Sequence, residues 1–565
     1  MNKARSRAVV TMITSSSVTV LTGFLALSHL KPAESLATTR TFARSAAVAK
    51  SKNSLVRGGI STQLDERPRT NNNPFQSMIG DVASSLKSTL IGGGMGGDIN
   101  AVALDQKLNS LDITSWDDIQ SNLISKQTEN EKAFRSNVDK GIGAPSPLNK
   151  IRLFEEGNKE EEIRVTLYRD HASWCPYCQK VWMTLEEKRI PYRVEKINMR
   201  CYGEKPREFS RLQPSGAIPV AIIDGTVYNQ SNDIIYALES LFPSHKPLLP
   251  SQNDNERRMK AQELLRLERT LFSAWMYWLT GSERSKGTFM NVLNQVENEL
   301  KSSQGGDFFL GKDVSLVDFM FAPFLERMVA SMVFFKGFQI RVVSGQKTDY
   351  PAINKWFDAM ETLESYTLTK SDYYTHAWDL PPQLGGCVYE KGGEPYERAI
   401  NGERTLDGSR GSWELPLQVD LGGIEPDWNW CGDESAAKRE ATERLSFNSK
   451  NIVAFAARGA GSKGMPPYSA PLSDPNARPN DAMKGSIDAC LRIISQALID
   501  GIDSADDDMK KVANAIKSEG GSECAENVVA SLAYLRDRVG VPRDMRLPAA
   551  RQLRAHLNWA IEKIL

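Results

Sequence analysis

Lys+Arg and Asp+Glu each total 70 in a chain of 565 residues, so the formal net charge of +0 gives no reason to expect nucleic acid or an anionic surface as the main partner. The length exceeds one ordinary domain, and at roughly 150 residues per domain it suggests about three, plus tails. Seven cysteines, an odd number mostly far apart, do not make the disulfide framework of a small secreted protein and fit a reducing compartment better.

Residues 1–37 read as a signal peptide, because Lys3, Arg5 and Arg7 precede an apolar stretch, Val18 to Leu27, that is too short to span a bilayer comfortably. Residues 38–70 read as transit-like: up to Leu64 they carry Arg40, Arg44, Lys50, Lys52 and Arg57 and no acidic residue. Two such signals in series resemble the bipartite presequence of plastid proteins in algae with secondary plastids, and Thr41-Phe42-Ala43 is similar to its junction. That resemblance implies a plastid (chloroplast) destination. Secretion, which the cysteine usage disfavours, and anchoring through Val18 to Leu27 are the alternatives.

Residues 71–150 are expected to hold a linker and an amphipathic helix. Thr70 to Asp98 is rich in Asn, Ser and Gly, which cannot pack a core, whereas Trp116, Ile119, Leu123 and Phe134 recur at helical spacing over Trp116 to Val138. Alternation then predicts a first domain over 151–246: strand Ile163–Tyr168, helix Pro176–Arg189, strand Tyr192–Ile197, a short helix Arg207–Leu212, a hairpin of Pro219–Ile223 and Thr226–Tyr228 across Asp224-Gly225, and helix Ser231–Leu241. The order β-α-β-α-β-β-α is that of the thioredoxin fold.

Over 253–380 the pattern predicts long helices without strands, near Asn255–Thr280, Glu283–Ser302, Ser315–Phe335 and Ala352–Leu363. Residues 385–565 begin as a turn-rich stretch to Asp433 and then read as mainly helical, with Ala436–Ala457, Pro479–Asp500, Ala525–Val539 and Ala549–Leu565 as candidates.

Trp174-Cys175-Pro176-Tyr177-Cys178 carries the chemistry. A cysteine at a helix N-terminus meets unpaired N–H groups and the positive end of the macrodipole, which favour the attacking thiolate. Pro176 suits the first helical position, and Cys178, one turn on, can resolve a mixed disulfide on Cys175. A structural zinc site needs two further ligands, and no second Cys-x-x-Cys or paired histidine exists. An iron-sulfur cluster shared between chains is disfavoured by the stiff Pro176, so no metal is expected. Cys201 reads as a bland residue at a strand end. Ile218-Pro219 can be cis, which would turn the Ile218 backbone toward the cysteine loop to bind an extended tripeptide. Ser231, after Gln230, is a good N-cap, and that helix N-terminus can receive a carboxylate.

Together these residues resemble the glutathione transferase superfamily, in the cysteine-type branch of the omega, lambda and dehydroascorbate-reductase classes, over about residues 150–370. The run HASWCPYCQKVWMTLEEKRIPYRVEKINMRCYGEKP is most similar to the iota class, which also has Cys-Pro-Tyr-Cys and a C-terminal extension. The resemblance implies an α/β thioredoxin-like N-terminal domain, an all-α glutathione-transferase domain and a mainly helical extension, with glutathione as co-substrate. It makes Cys175 catalytic and implies that Lys205, before Pro206, holds the glycyl carboxylate of glutathione. By the same likeness Ile218 and Pro219 bind its backbone and Ser231 its γ-glutamyl carboxylate. Gln230 departs from the usual Glu. Ser315 to Asp318 matches the superfamily's helix-capping motif, a folding signal.

The aromatic set Phe272, Trp275, Tyr277 and Trp278 is read as core rather than as an electrophile pocket. In the extension Trp413, Trp428, Trp430, Cys431 and His556 are expected to serve packing, and Arg551, Arg554 and Lys563 a solvated helix face. The expected function is a glutathione-dependent thiol transferase or thiol-disulfide oxidoreductase acting through Cys175, by deglutathionylation or dehydroascorbate reduction. Conjugation of glutathione to electrophiles and a non-catalytic binding module are the alternatives. The expected partners are glutathione and a small-molecule or protein disulfide, with no nucleic acid, no stable membrane insertion after processing, and a homodimer as the assembly to test.

Overall fold

A computed structural model describes residues 101–565 except 304, 344, 418–424, 426–432 and 465–469. The expected signal peptide, transit-like segment and glycine-rich linker lie outside the described residues, as do Trp428, Trp430 and Cys431.

The helix expected over Trp116 to Val138 is two helices, α2 (Trp116–Lys126) and α3 (Glu129–Lys140), preceded by α1 (Ala101–Asn109). The break is written at Thr128, whose hydroxyl accepts from Glu131 N while the Glu131 carboxylate accepts from Thr128 N, a capping box that starts a new helix. A capping hydroxyl of this kind is worth about 1 kcal/mol. Gly141 in the left-handed region, φ 72°, ends α3.

The sheet is β1 (Ile151–Arg152), β2 (Val165–Asp170), β3 (Tyr192–Ile197), β4 (Val220–Ile223) and β5 (Thr226–Tyr228), in the order β1-β3-β2-β4-β5. β2 and β3 are parallel, with Val165 opposite Tyr192, and every other pair is antiparallel. The order predicted over 163–241 is present, completed by α4 (Pro176–Lys188), α5 (Arg207–Leu212) and α6 (Ser231–Leu241). The edge strand β1 is too short to leave an alternation in the sequence.

The helical part follows as α7 (Asn255–Leu279), α8 (Lys286–Lys301), α9 (Leu316–Lys336), α10 (Pro351–Met360), α11 (Glu364–Thr367), α12 (Tyr373–Leu384) and α13 (Glu394–Ile400). α9 is buried on every side, and it packs on α4, so the second part of the fold forms the floor behind the cysteine helix. Its start is fixed as expected: Ser315 N and Oγ both donate to Asp318 Oδ2 at 2.8 Å, and the other Asp318 oxygen accepts from Phe309 N and Trp356 Nε1.

In the C-terminal region the helix expected over Ala436 to Ala457 is split into α14 (Glu434–Ser446) and α15 (Ser449–Ala456), and α16 runs Lys484–Asp500. α17 (Ile502–Arg536) starts well before the expected Ala525 and is broken at Gly521, φ 74°, ψ −177°. The last helix is α18 (Leu547–Ile564). These helices share a second core with α1, through Leu104 and Leu108. α2 is tied to the same body, where Trp116 Nε1 donates to Asp488 Oδ1 at 2.8 Å and Thr114 Oγ1 to Gln496 Oε1 at 3.0 Å. α1 and α2 therefore pack on the C-terminal region. Among the described residues no helix is long and apolar enough to cross a membrane.

Several expectations about single residues change. Arg554 is not on a solvated face: it is 1% exposed and donates to Asp372 Oδ2 at 2.8 Å, because α18 lies against the start of α12. His556 and Trp413 are buried as packing residues, and burial holds the His556 imidazolium down to about 4. Trp275 and Trp278 are core, whereas Tyr277 is 54% exposed.

Candidate active site

The loop between β2 and α4 positions the cysteines. Ser173 takes φ 65°, turning the chain at the strand end, and Arg169 Nη1 secures the turn by donating to Ser173 Oγ and Asp170 O, each at 2.9 Å. Cys175 is then the N-cap of α4 with Pro176 in its first turn, the placement the sequence predicts. Its carbonyl accepts from Gln179 N at 3.0 Å, so the amides nearer the N-terminus are left for the sulfur's side of the helix.

The Ile218-Pro219 bond is cis, and Ile218 O lies 4.0 Å from Cys175 Sγ. Lys205 reaches the same region from the loop before α5. Its Nζ donates to Asn198 O at 2.5 Å and its methylenes pass beside Gly216. Burial pulls its ammonium below the ordinary lysine range, offset by the charges of Cys178, Cys175 and Asp170, which places this cation within the field of the dithiol. Cys175, Cys178, Lys205 and Ile218-Pro219 are thus brought together.

Gln230 and Ser231 form the far limit of the candidate set. The structure makes Gln230, not Ser231, the N-cap of α6, and Gln230 makes no side-chain capping bond, so the first-turn amides of α6 stay free of a side-chain cap. Gln230 is exposed and Ser231 half-buried. No hydrogen bond joins either side chain to the cysteine loop among the described residues. The arrangement suits a tripeptide with a carboxylate at each end: a cation at Lys205, a backbone edge at Ile218 beside the thiol, and open amides at α6.

Three groups that the sequence reading did not single out complete the site. Asp170, 1% exposed, has a carboxylate oxygen within 4.8 Å of both sulfurs. Its Oδ2 accepts from Trp174 N at 2.5 Å while Oδ1 has no partner. Burial and the nearby charges of Cys175 and Asp170 push the Cys178 thiol well above its ordinary range, so Cys178 waits as a protonated thiol beside Cys175. Asp170, Cys175 and Cys178 thus offer three ligand-type atoms within 4.8 Å of one another. Lys180, on the buried side of α4, has its ammonium pulled by burial to about 7, with the Glu268 charge, and after it the Cys175 charge, acting the other way. Arg327 of α9 donates to the Trp174 carbonyl, to Gln179 Oε1 and to Pro323 O. Cys201 behaves as the bland residue expected, its thiol pushed up to about 12 by burial.

Behind Trp174 stands a polar wall. Tyr202 meets its ring edge-on at 5.5 Å and donates its hydroxyl to Asp379 Oδ1 at 2.5 Å, and burial pushes the Asp379 carboxyl up to about 7. Facing α4 on the other side, Tyr177, Phe272 and Phe324 stack edge to face, at 5.7 Å and 4.9 Å between ring centres. Phe272 of α7 is thereby joined to the cysteine helix through Phe324.

Comparison with known proteins places the likeness on these same elements. Residues 174–241 match the family model described as the glutathione S-transferase N-terminal domain, and residues 280–359 the one described as its C-terminal domain. Glutathione S-transferase DHAR2 of Arabidopsis thaliana is 26% identical over 200 residues, covering 35% of this chain and 84% of that protein. The chloroplastic glutathione S-transferase DHAR3 of the same plant is 24% identical over 201 residues, covering 35% and 69%. Among solved structures, the dehydroascorbate reductase of Chlamydomonas reinhardtii is 21% identical with a TM-score of 0.31, covering 37% of this chain and 93% of that one.

Proposed function

The segment from residue 174 to 359 carries both domains of the glutathione S-transferase superfamily, in its cysteine-type branch, and on that premise we propose that this protein is a glutathione-dependent thiol transferase with Cys175 as its nucleophile. Glutathione is the co-substrate. The observation that carries the reading is Cys175 at the N-terminus of α4 with the Cys178 sulfur within 4.8 Å of its own. A site built for conjugation needs a hydroxyl to hold the glutathione thiolate, and here the Cys175 sulfur stands in place of one.

In the reaction, the Cys175 thiolate attacks the glutathionyl sulfur of a mixed disulfide R–S–S–G. The S–S bond breaks, the R-thiolate leaves and takes a proton, and Cys175 retains the glutathione as a disulfide. A second glutathione thiolate then attacks that glutathionyl sulfur and frees Cys175, giving oxidised glutathione. In the dithiol route Cys178 attacks Cys175 instead, releasing glutathione and leaving a Cys175–Cys178 disulfide for an external thiol to reduce. Lys205, Ile218 and the amides of α6 hold glutathione in place; Gln230 supplies no charge for its ammonium. Dehydroascorbate reduction is the form of this chemistry suggested by the names of the relatives. The Cys-Pro-Tyr-Cys run and the C-terminal region support the iota class within the branch.

The test is deglutathionylation of a small mixed disulfide, with Cys175→Ser and Cys178→Ser compared. Turnover lost in the first and kept in the second establishes the monothiol route, and loss in both the dithiol route. No turnover by the unmodified protein with Cys175 free sinks the assignment in favour of a binding module. The composition of residues 1–70 supports action in a plastid, and a fluorescent protein fused behind them that stays outside that organelle would remove this part.

A further inference from the structure

Trp174, the residue before the nucleophile, is held from two directions. Its peptide is fixed by the fold already described, the N–H donating to Asp170 Oδ2 and the carbonyl accepting from Arg327 Nη2, both at 2.5 Å. Its indole, 0% exposed, is fixed by the C-terminal region. Trp174 Nε1 donates to Val541 O at 3.0 Å, and the Arg543 guanidinium lies 4.8 Å above the ring. Gly540 fits because it has no side chain: a Cβ there would stand 2.4 Å from Trp174 Cζ2.

The segment 537–546 that makes these contacts connects α17 to α18 and is itself anchored to the start of α12. Val541 N donates to Thr375 Oγ1 at 3.2 Å, and Val541 O also accepts the Ser371 hydroxyl. Tyr374 donates to Asp537 O at 3.0 Å. Arg554 of α18 spans both, donating to Asp372 Oδ2 at 2.8 Å and to Val539 O at 2.7 Å. Every partner in this set is buried or half-buried, so the contact is a packed joint.

We propose that the segment 537–546 is a positioning element of the Cys175 site, through which the C-terminal region sets the direction of the catalytic sulfur. The peptide between Trp174 and Cys175 decides where Sγ lies relative to the free amides of α4 and to Ile218 O. Ser173 holds φ 65° just before it, so the loop depends on its anchors to keep that geometry. The indole is the anchor that reaches into the C-terminal region. Displacement of a reacting group by about 1 Å is enough to cost up to ~100-fold in rate.

The proposal rests on Cys175 as the nucleophile, and its test reads that thiol directly. The full chain is alkylated with iodoacetamide across a pH series, modification is followed at the Cys175 peptide by mass spectrometry, and kcat/KM for a mixed disulfide is measured in parallel. Gly540→Val crowds the indole, and Thr375→Val frees the Val541 amide without touching Trp174. The expected result is a fall of about tenfold or more in Cys175 alkylation at neutral pH for Gly540→Val, a smaller fall for Thr375→Val, and a moved pH midpoint in both, with unchanged far-ultraviolet circular dichroism. Alkylation within about twofold of the unmodified protein with an unmoved midpoint in the folded variants overturns the proposal. If Gly540→Val does not fold, Thr375→Val decides by the same criteria. If alkylation changes as stated but the unmodified protein turns over no disulfide, positioning stands and the thiol-transferase reading falls.

Discussion

Arg327 of α9 donates from its Nη2 to the carbonyl oxygen of Trp174 at 2.5 Å, so a side chain of the helical domain holds the peptide that leads into Cys175. The same guanidinium donates to Gln179 Oε1 at 3.0 Å and to Pro323 O at 2.7 Å. Arg327→Met keeps much of the volume and strands three buried acceptors next to the charge of Glu326. The expected cost is about 3 kcal/mol or more in unfolding free energy, together with lower turnover, read from the urea midpoint and from kcat. A variant as stable as the unmodified protein would show that the guanidinium is dispensable to the joint.

Lys180 yields a pH prediction with a definite sign. Burial lowers its folded value from the ordinary 10.5 to about 7, so between those values the unfolded chain binds more protons and stability rises with pH. The cost of burying the charge is fully present below about 7. Lys180→Met is therefore expected to stabilise the protein at pH 6 by on the order of a few kcal/mol and to flatten the rise between pH 7 and 10. Urea titrations at pH 6 and pH 9 check the change.

Asp170 has one oxygen engaged by Trp174 N and the other without a partner beside two sulfurs. A carboxylate so placed can take the proton that Cys178 must lose before it attacks. Asp170→Asn preserves the acceptor for Trp174 N and removes the base. If the dithiol route operates, this variant should accumulate Cys175 bound to glutathione and slow turnover ~10- to 100-fold, while in a Cys178→Ser background the same change should have little effect. Equal slowing in both backgrounds would assign Asp170 to loop geometry alone.

The parts of this fold legible in the sequence are those with local signals. Pro176 at a helix start, Asp224-Gly225 between two short apolar runs, and Ser315 three residues before Asp318 each state their structure within a few positions. The break between α2 and α3 was equally local, a capping box at Thr128 and Glu131, and was read through because the apolar spacing continues across it. Asp170 was discoverable, as a charge at the end of a strand running into the cysteine loop. Arg327, Val541 and Arg554 were not, since their partners lie 153, 367 and 182 residues away and nothing near them marks the pairing. Read alone, α18 offers Arg554 as a solvated cation; only the docked α12 makes it a buried one.

Glu361 anchors a second buried cluster, between α10 and α11. Arg341 donates to it through both terminal nitrogens at 2.5 and 2.6 Å, and Lys370 Nζ at 2.5 Å. Burial pushes its carboxyl up, but Lys370 and Arg341 prevail and bring it from 4.5 to about 2. A depressed carboxylate contributes stability above its unfolded value that is lost as pH falls from about 4.5 toward 2. Glu361→Gln, which removes the carboxylate charge that Arg341 and Lys370 share, is expected to cost about 3 kcal/mol at pH 7 and to make the acid limb of the stability curve shallower. An unchanged acid limb would place the controlling carboxylates elsewhere.

The union of α1 and α2 with the last helices also imposes an order of events on synthesis. Thr114 is bonded to Gln496, 382 residues later, so α1 and α2 lack these partners until nearly the whole chain exists. At about 5–20 residues per second that interval is roughly 20 to 80 s, during which the domains between them can fold while Leu104, Leu108 and their neighbours stay uncovered. The nascent protein therefore presents an apolar N-terminal stretch to chaperones throughout translation, and any ribosome stall before α16 leaves a folded redox domain with an unsealed end.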